Sequence, residues 1–158
     1  MEIEKLREIL KGKIEVKREQ RVEIKVDSAD IVSTLHSLKL IGFNQLTLIT
    51  AVDWIDEQQF EVVYILYSSF DKVVAIVKAR TSRENAEVET VEDLYPNAHK
   101  YEVEITEMFG IRVRGNEDSG KPFILENWQD IPPMRKDFDS IKFATEHYEA
   151  RHKEETNE

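Results

Sequence analysis

The chain has 158 residues, 41% of them hydrophobic, enough for one domain to bury a sizeable core without covalent staples. It contains no cysteine, which excludes disulfides, a thiolate nucleophile and iron–sulfur ligation by this chain. Its 32 acidic against 22 basic residues give a net charge of −10, which disfavours nucleic-acid backbones and anionic lipid surfaces and points to basic partners.

The first residues, Met-Glu-Ile-Glu-Lys-Leu-Arg-Glu, lack the basic flank and apolar core of a signal peptide, and no stretch approaches the roughly 18 apolar residues of a membrane span. The expectation is a soluble, cytoplasmic protein. Residues 2–11 carry Ile3, Leu6, Ile9 and Leu10 at helical spacing, with a stop at Gly12. Ile14 and Val16, then Val22, Ile24 and Val26, alternate with charged residues as a half-buried strand pair joined through Lys17–Arg21. Asp27 or Ser28 can cap a helix bearing Ile31, Val32, Leu35, Leu38 and Leu40 that ends at Gly42.

The middle of the chain is β-branched and aromatic. Phe43–Trp54, Phe60–Tyr67 and Val73–Ala79 read as three consecutive antiparallel strands separated by polar turns. Residues 81–90 read as a loop, after which Thr90 or Glu89 caps a short turn that Pro96 interrupts. A helix follows at about 98–109 and ends at Gly110. The expected fold is α+β, a single domain with helices over one antiparallel sheet, spanning 1–114. Gly115, Gly120, Pro122, Pro132 and Pro133 forbid a long helix before about residue 139, so 115–158 reads as an extended C-terminal arm with a polar tail.

The helix Lys100–Gly110 is two-sided. At about 100° per residue, Glu104 and Glu107 share one face and Tyr101, Ile105 and Met108 another, while Glu102 stands apart. Glu104 and Glu107 can chelate a metal or act as an acid–base pair, or they form a solvated or partner-facing acidic side. No histidine stands at helical spacing to complete a carboxylate metal site. His36, His99, His147 and His152 read as surface residues, and neither a nucleophile elbow nor a phosphate loop is present. In Met134–Phe138, Arg135 can pair with a carboxylate across an interface or with Glu104 or Glu107, or the segment is an ordinary charged loop. Trp54 and Trp128 read as core or interface anchors.

Two motifs carry a family resemblance. Glu102-Val103-Glu104-Ile105-Thr106-Glu107-Met108-Phe109-Gly110-Ile111 resembles the pattern Glu-Arg-Glu, two residues, Asp, two apolar residues, Gly-Ile of the 30 kDa subunit of complex I and its counterpart in membrane-bound group 4 nickel–iron hydrogenases. Pro133-Met134-Arg135-Lys136-Asp137-Phe138 is similar to that family's Pro-Leu-Arg-Lys-Asp-Tyr, at a distance that needs no gap. Thr50–Asp53 and Phe60–Tyr64 look like its strand sequences, so the similarity covers about residues 35–138.

The resemblance implies a non-catalytic structural subunit of the hydrophilic arm of a membrane-bound, ion-translocating oxidoreductase, on the cytoplasmic side of the cell membrane. Such a chain binds no cofactor and no metal. Iron–sulfur clusters, and a nickel–iron centre where there is one, lie in other subunits. Its partners are a hydrogenase-like large subunit, an iron–sulfur small subunit and integral membrane subunits. In this picture Glu102, Glu104, Glu107, Phe109 and Gly110 form a docking and bracing motif with Arg135, Lys136 and Asp137. Val103 in place of arginine, Glu107 in place of aspartate, and Asn116-Glu117 in place of Gly-His-Pro depart from the pattern. These departures point to a ferredoxin-linked archaeal relative, foremost a hydrogen-evolving membrane-bound hydrogenase, with a membrane-bound sulfane sulfur reductase or a quinone-reducing complex I as the alternatives.

Overall fold

The computed structural model describes residues 13–18 and 20–148. The helix expected over 2–11, its stop at Gly12, His152 and the tail beyond Tyr148 lie outside the described residues.

The fold is α+β. Strands β1 (Lys13–Arg18) and β2 (Arg21–Asp27) form the expected antiparallel pair, with an irregularity between Val16 and Arg18. A single 3₁₀ turn, Ser28–Asp30, leads into helix α1 (Ile31–Leu40), and neither Asp27 nor Ser28 caps it through a side chain. Gly42, at φ +106°, ends α1 in a conformation that costs a glycine little. The Gly42 N–H donates to the Lys39 carbonyl and the Phe43 N–H to the Leu38 carbonyl, which satisfies the last carbonyls of the helix.

Strands β3 (Gln45–Trp54), β4 (Gln59–Ser68) and β5 (Val73–Ser82) are successive antiparallel neighbours, as the alternation predicts. The five-stranded sheet has the order β1-β2-β5-β4-β3. The expectation of a wholly antiparallel sheet is corrected at one junction, because β2 and β5 run parallel, with Ile24 opposite Val77. Helix α1 carries the chain across the sheet, so β3 starts in the same sense as β2. Two hairpin reversals then return β5 to that sense beside β2. The loop expected over 81–90 is also corrected. Glu87–Glu89 forms strand β6, which pairs in parallel with β7 (Arg112–Arg114), a partner too distant in sequence for a local pattern to reveal.

One face of the large sheet, with Ile24, Ile49, Phe60, Val62, Tyr64, Leu66 and Val77, packs against Ile31, Leu35 and Leu38 of α1 and against helix α2 (Ala98–Phe109). All of these sheet residues belong to the same alternating phase, and together with the helices they make the core.

Beyond β7 there is no strand or helix until α3 (Ser140–His147), whose cap residue Asp139 accepts from Ile141 N and Lys142 N at 3.1 and 2.9 Å. The arm holds its own aromatic cluster. Trp128 lies 5.6 Å from Phe138 and 4.8 Å from Phe143 between ring centroids, and His147 stacks on Phe143 at 4.1 Å. Trp54 stands instead at the end of β3 beneath the Arg80 guanidinium, 5.5 Å from its ring centroid.

Candidate functional site: a helix end held by the C-terminal arm

Helix α2 buries Ala98, Val103, Ile105, Met108 and Phe109, so the apolar stripe faces the sheet. Tyr101 is half-buried, and its hydroxyl donates to the Thr47 carbonyl at 3.0 Å. Glu102, which the helical projection sets apart from both faces, is only 1% exposed. Its Oε1 accepts from Val91 N at 2.8 Å, and its Oε2 accepts from Thr90 Oγ1 at 2.7 Å and Asn116 Nδ2 at 2.9 Å. A carboxylate enclosed this deeply is tolerable only with its lone pairs filled, and three donors fill them. Glu102 therefore ties α2 to the turn before it and to the turn after β7. Burial first, and the Glu102 charge second, push the Tyr64 phenol far up, so that side chain stays neutral.

Glu107 holds the arm. Its carboxylate accepts from three consecutive backbone N–H groups: Phe123 at 2.7 Å, Ile124 at 3.0 Å and Leu125 at 3.0 Å. Burial works to raise the Glu107 carboxyl, and the three N–H groups outweigh it, leaving the group below its ordinary value. Glu104 is half-buried and has no hydrogen-bond or ion-pair partner among the described residues. The two carboxylates thus do not converge: one braces the arm and the other is free. No cluster of three or more His, Cys, Asp or Glu side chains suited to a metal occurs among the described residues.

At the C-terminal end of α2 the chain turns at Gly110, with φ +76°. A Cβ there would meet Pro132 Cγ at 3.2 Å, so the missing side chain lets the arm lie close. Met134 N donates to the Met108 carbonyl at 3.0 Å, which seats the second motif directly on the first. Phe109 meets Phe60 edge to face at 6.3 Å.

The second motif closes on a buried acid in β3. Asp53, with its side chain wholly buried, accepts from Arg83 Nε at 3.0 Å and Nη2 at 3.2 Å and from Lys136 N at 2.9 Å. Arg83 Nη2 also donates to Asp137 at 2.6 Å. Burial works against the Asp137 charge, and the Arg83 guanidinium more than offsets it, so its carboxyl lies below the usual range. The contribution of Lys136 is its backbone N–H. Arg135 lies over the Phe60 ring, 5.3 Å from its centroid, with Arg83 also 5.7 Å from that centroid. The pairing of Arg135 with Glu104 or Glu107 is corrected: no carboxylate pairs with Arg135 among the described residues, and its Nε is buried without an acceptor. Glu107 is held by backbone N–H groups, and Asp137, whose carboxyl also feels the Arg135 charge, is bonded by Arg83.

His99 is not a simple surface residue either. It is half-buried in the first turn of α2, with Nδ1 2.7 Å from Glu92 and Nε2 2.9 Å from Asp118. Both ring nitrogens can donate to carboxylates only in the imidazolium, and the bonds to Glu92 and then Asp118 raise its pKa. His36 and His147 are exposed.

Sequence reasoning passed over Arg83, Thr90 and Asn116 as members of this site. Asp53 had a signal, because it continues the inward phase of Ile49 and Ala51 and is thus a charge at a core position. Arg83 and Asn116 had none, since their partners are 30 and 14 residues away.

Residues 24–144 match the family described as the respiratory-chain NADH dehydrogenase 30 kDa subunit. Among curated relatives, a subunit of the F420H2 dehydrogenase of Methanosarcina mazei is 33% identical over 66% of this chain and 66% of its own length, just under two thirds. A subunit of the NADH-quinone oxidoreductase of Geobacter metallireducens is 30% identical over 82% of each chain. Among solved structures, a chain of the membrane-bound sulfane sulfur reductase, an archaeal respiratory membrane complex, superposes with a TM-score of 0.88 at 34% identity, over 96% of this chain and 93% of that one. A trypsin-resistant fragment of Nqo5 superposes with a TM-score of 0.67 at 25% identity, over 75% of this chain and 99% of the fragment. With two spaced motifs seated on one another in an α+β fold and a family match over most of its length, the chain belongs to the respiratory-chain NADH dehydrogenase 30 kDa subunit family, whose members are subunits of complex I-like oxidoreductase complexes.

Proposed function

We propose that this chain is a non-catalytic assembly subunit of the peripheral arm of a membrane-bound, ion-translocating, ferredoxin-linked oxidoreductase, and that it packs against the large catalytic subunit. One observation carries the reading. Glu107 and the Met134 N–H brace the chain's own arm against α2, Lys136 N–H and Asp137 brace it against Asp53 and Arg83, and that bracing holds Phe123, Ile124 and Met134 at the surface. Glu102, Glu107 and Asp137 are thereby engaged as structural groups. No helix among the described residues is long and apolar enough to cross a membrane. Attachment then runs through partner subunits: a hydrogenase-like large subunit, an iron–sulfur small subunit and integral membrane subunits on the cytoplasmic side. Iron–sulfur clusters sit in those partners.

The likeness to a sulfane sulfur reductase chain over nearly the whole length favours a complex of that type. A hydrogen-evolving hydrogenase is the second reading, since Val103 and Asn116, which depart from the quinone-linked pattern, suit it as well as they suit the sulfur reductase. Four nickel-ligating cysteines in the partner large subunit select the hydrogenase, and their absence selects the sulfur- or quinone-reducing types.

The test is purification of the native chain from detergent-solubilised membranes with identification of what accompanies it. Stoichiometric large, iron–sulfur and integral membrane subunits are expected. A chain that elutes alone refutes the assignment.

A further inference from the structure

Arg135 is built into the arm in a way that its own chain does not complete. Its Nε is buried without an acceptor, and its terminal nitrogens make no hydrogen bond or ion pair among the described residues, their charge reaching Asp137 only at longer range. Because Nε is the only buried side-chain nitrogen or oxygen left unpaired among the described residues, the terminal nitrogens reach the surface. The Phe60 ring steadies the guanidinium, and a ring face takes no hydrogen bond in the manner of an oxygen. The contrast with Arg83 is direct. On the same ring, Arg83 holds both Asp53 and Asp137.

We infer that the Arg135 guanidinium is the receptor for an Asp or Glu side chain of another subunit, carried on a segment with apolar flanks. This deepens the proposed function and rests on it. The flanks are argued from the neighbourhood. Met134 is 55% exposed, Ile124 63% and Phe123 39%, and all three are fixed by the backbone bonds that clasp the end of α2. A pre-positioned arginine next to exposed Met134, with Phe123 and Ile124 clasped to the same end of α2, is the composition of an interface anchor. A free anion would use the charge and leave the apolar residues in water, so a polypeptide partner fits better. The chain's net charge of −10 repels acidic partners at large, which makes one half-buried guanidinium with open hydrogen-bonding positions selective for a single docked carboxylate.

The test uses the whole complex purified through this chain. R135K keeps the charge and supplies an amine that a water-soluble carbodiimide couples to a carboxylate in direct contact. The expected result is an isopeptide link, present in R135K and absent in wild type, from position 135 to an Asp or Glu of another subunit. Links through Lys136 appear in both and serve as the internal standard. R135A should weaken association with that subunit at least ~30-fold, while loss of the contact with Phe60 lowers the unfolding midpoint of the free chain by no more than about 4 °C. Position 135 coupling only to Asp137 or to other carboxylates of its own chain overturns the inference. So does R135A assembling as tightly as wild type. If the wild-type chain brings down no other subunit, the assembly role itself fails. If the complex forms but ignores position 135, only this site fails.

Discussion

Replacing Glu102 with alanine takes the acceptor from three donors at once. Val91 N–H is left buried with no acceptor, while Asn116 Nδ2 keeps a longer bond of 3.2 Å to the His99 carbonyl and the Thr90 hydroxyl can rotate. One buried unpaired amide costs about 1–3 kcal/mol, and each of the other two charge-assisted bonds contributes about 1.5–3 kcal/mol. Against this, removing the carboxylate relieves the desolvation of a buried ion, an opposing effect of several kcal/mol. The balance is a destabilisation of about 3 kcal/mol, which lowers the unfolding midpoint of a chain this size by about 6–12 °C. E102Q keeps the shape and one oxygen, and should cost about 1–2 kcal/mol because the new amide hydrogens face donors. Urea denaturation of the purified chain followed by far-UV circular dichroism measures both. A loss below about 1 kcal/mol for E102A would refute the view of Glu102 as the tie between α2 and its flanking turns. In a double-mutant cycle with N116A the coupling should reach at least about 0.5 kcal/mol.

D53N breaks one partner of a buried pair, a change that usually costs about 3–5 kcal/mol, but Arg83 keeps Asp137 and the loss should be about 2–3 kcal/mol. Limited trypsin digestion should show faster cleavage after Arg135 and Lys136, because Lys136 N loses its carboxylate. The Glu107 carboxyl is depressed below its ordinary value of 4.5, so its hold on 123–125 is fully present above about pH 4.5 and is lost as pH falls through the lower folded value. The protection factors for amide exchange at Phe123, Ile124 and Leu125, which correct for the intrinsic slowing of exchange in acid, should fall across that acid window in wild type, and should already be low at neutral pH in E107A. His99 has the opposite sign. Its pKa is raised from 6.5, so its stabilisation is complete below pH 6.5 and is lost as pH rises through the raised folded value. The difference in urea midpoint between wild type and H99Q should therefore shrink between pH 6 and pH 9. A constant difference would remove charge from the explanation.

Much of the architecture is written locally. Leucines and isoleucines at helical spacing before Gly42, and β-branched alternation through 45–54, 59–68 and 73–82, specify α1 and the three-stranded meander, because period and turn chemistry are properties of neighbouring residues. The stop at Gly110 and the helix before it are equally local. The absence of cysteine and the two motifs with their spacing also belong to the sequence, and the family resemblance rests on those motifs. Pairing across distance was not legible. That β2 lies parallel to β5 follows from the path of the chain over the sheet, and β6 exists only because β7 arrives beside it. A helical projection places Glu102 between two faces, yet its burial was decided by the turns at 90–91 and 116, which close over it. Asp53, Arg83 and Asp137 lie 30 and 54 residues apart and meet only when the arm folds back on the sheet, which leaves the Arg135 Nε without an acceptor. Charge partners are chosen by position in space, so Arg83 takes the bonds to Asp53 and Asp137 while Arg135 acts on Asp137 through its charge alone.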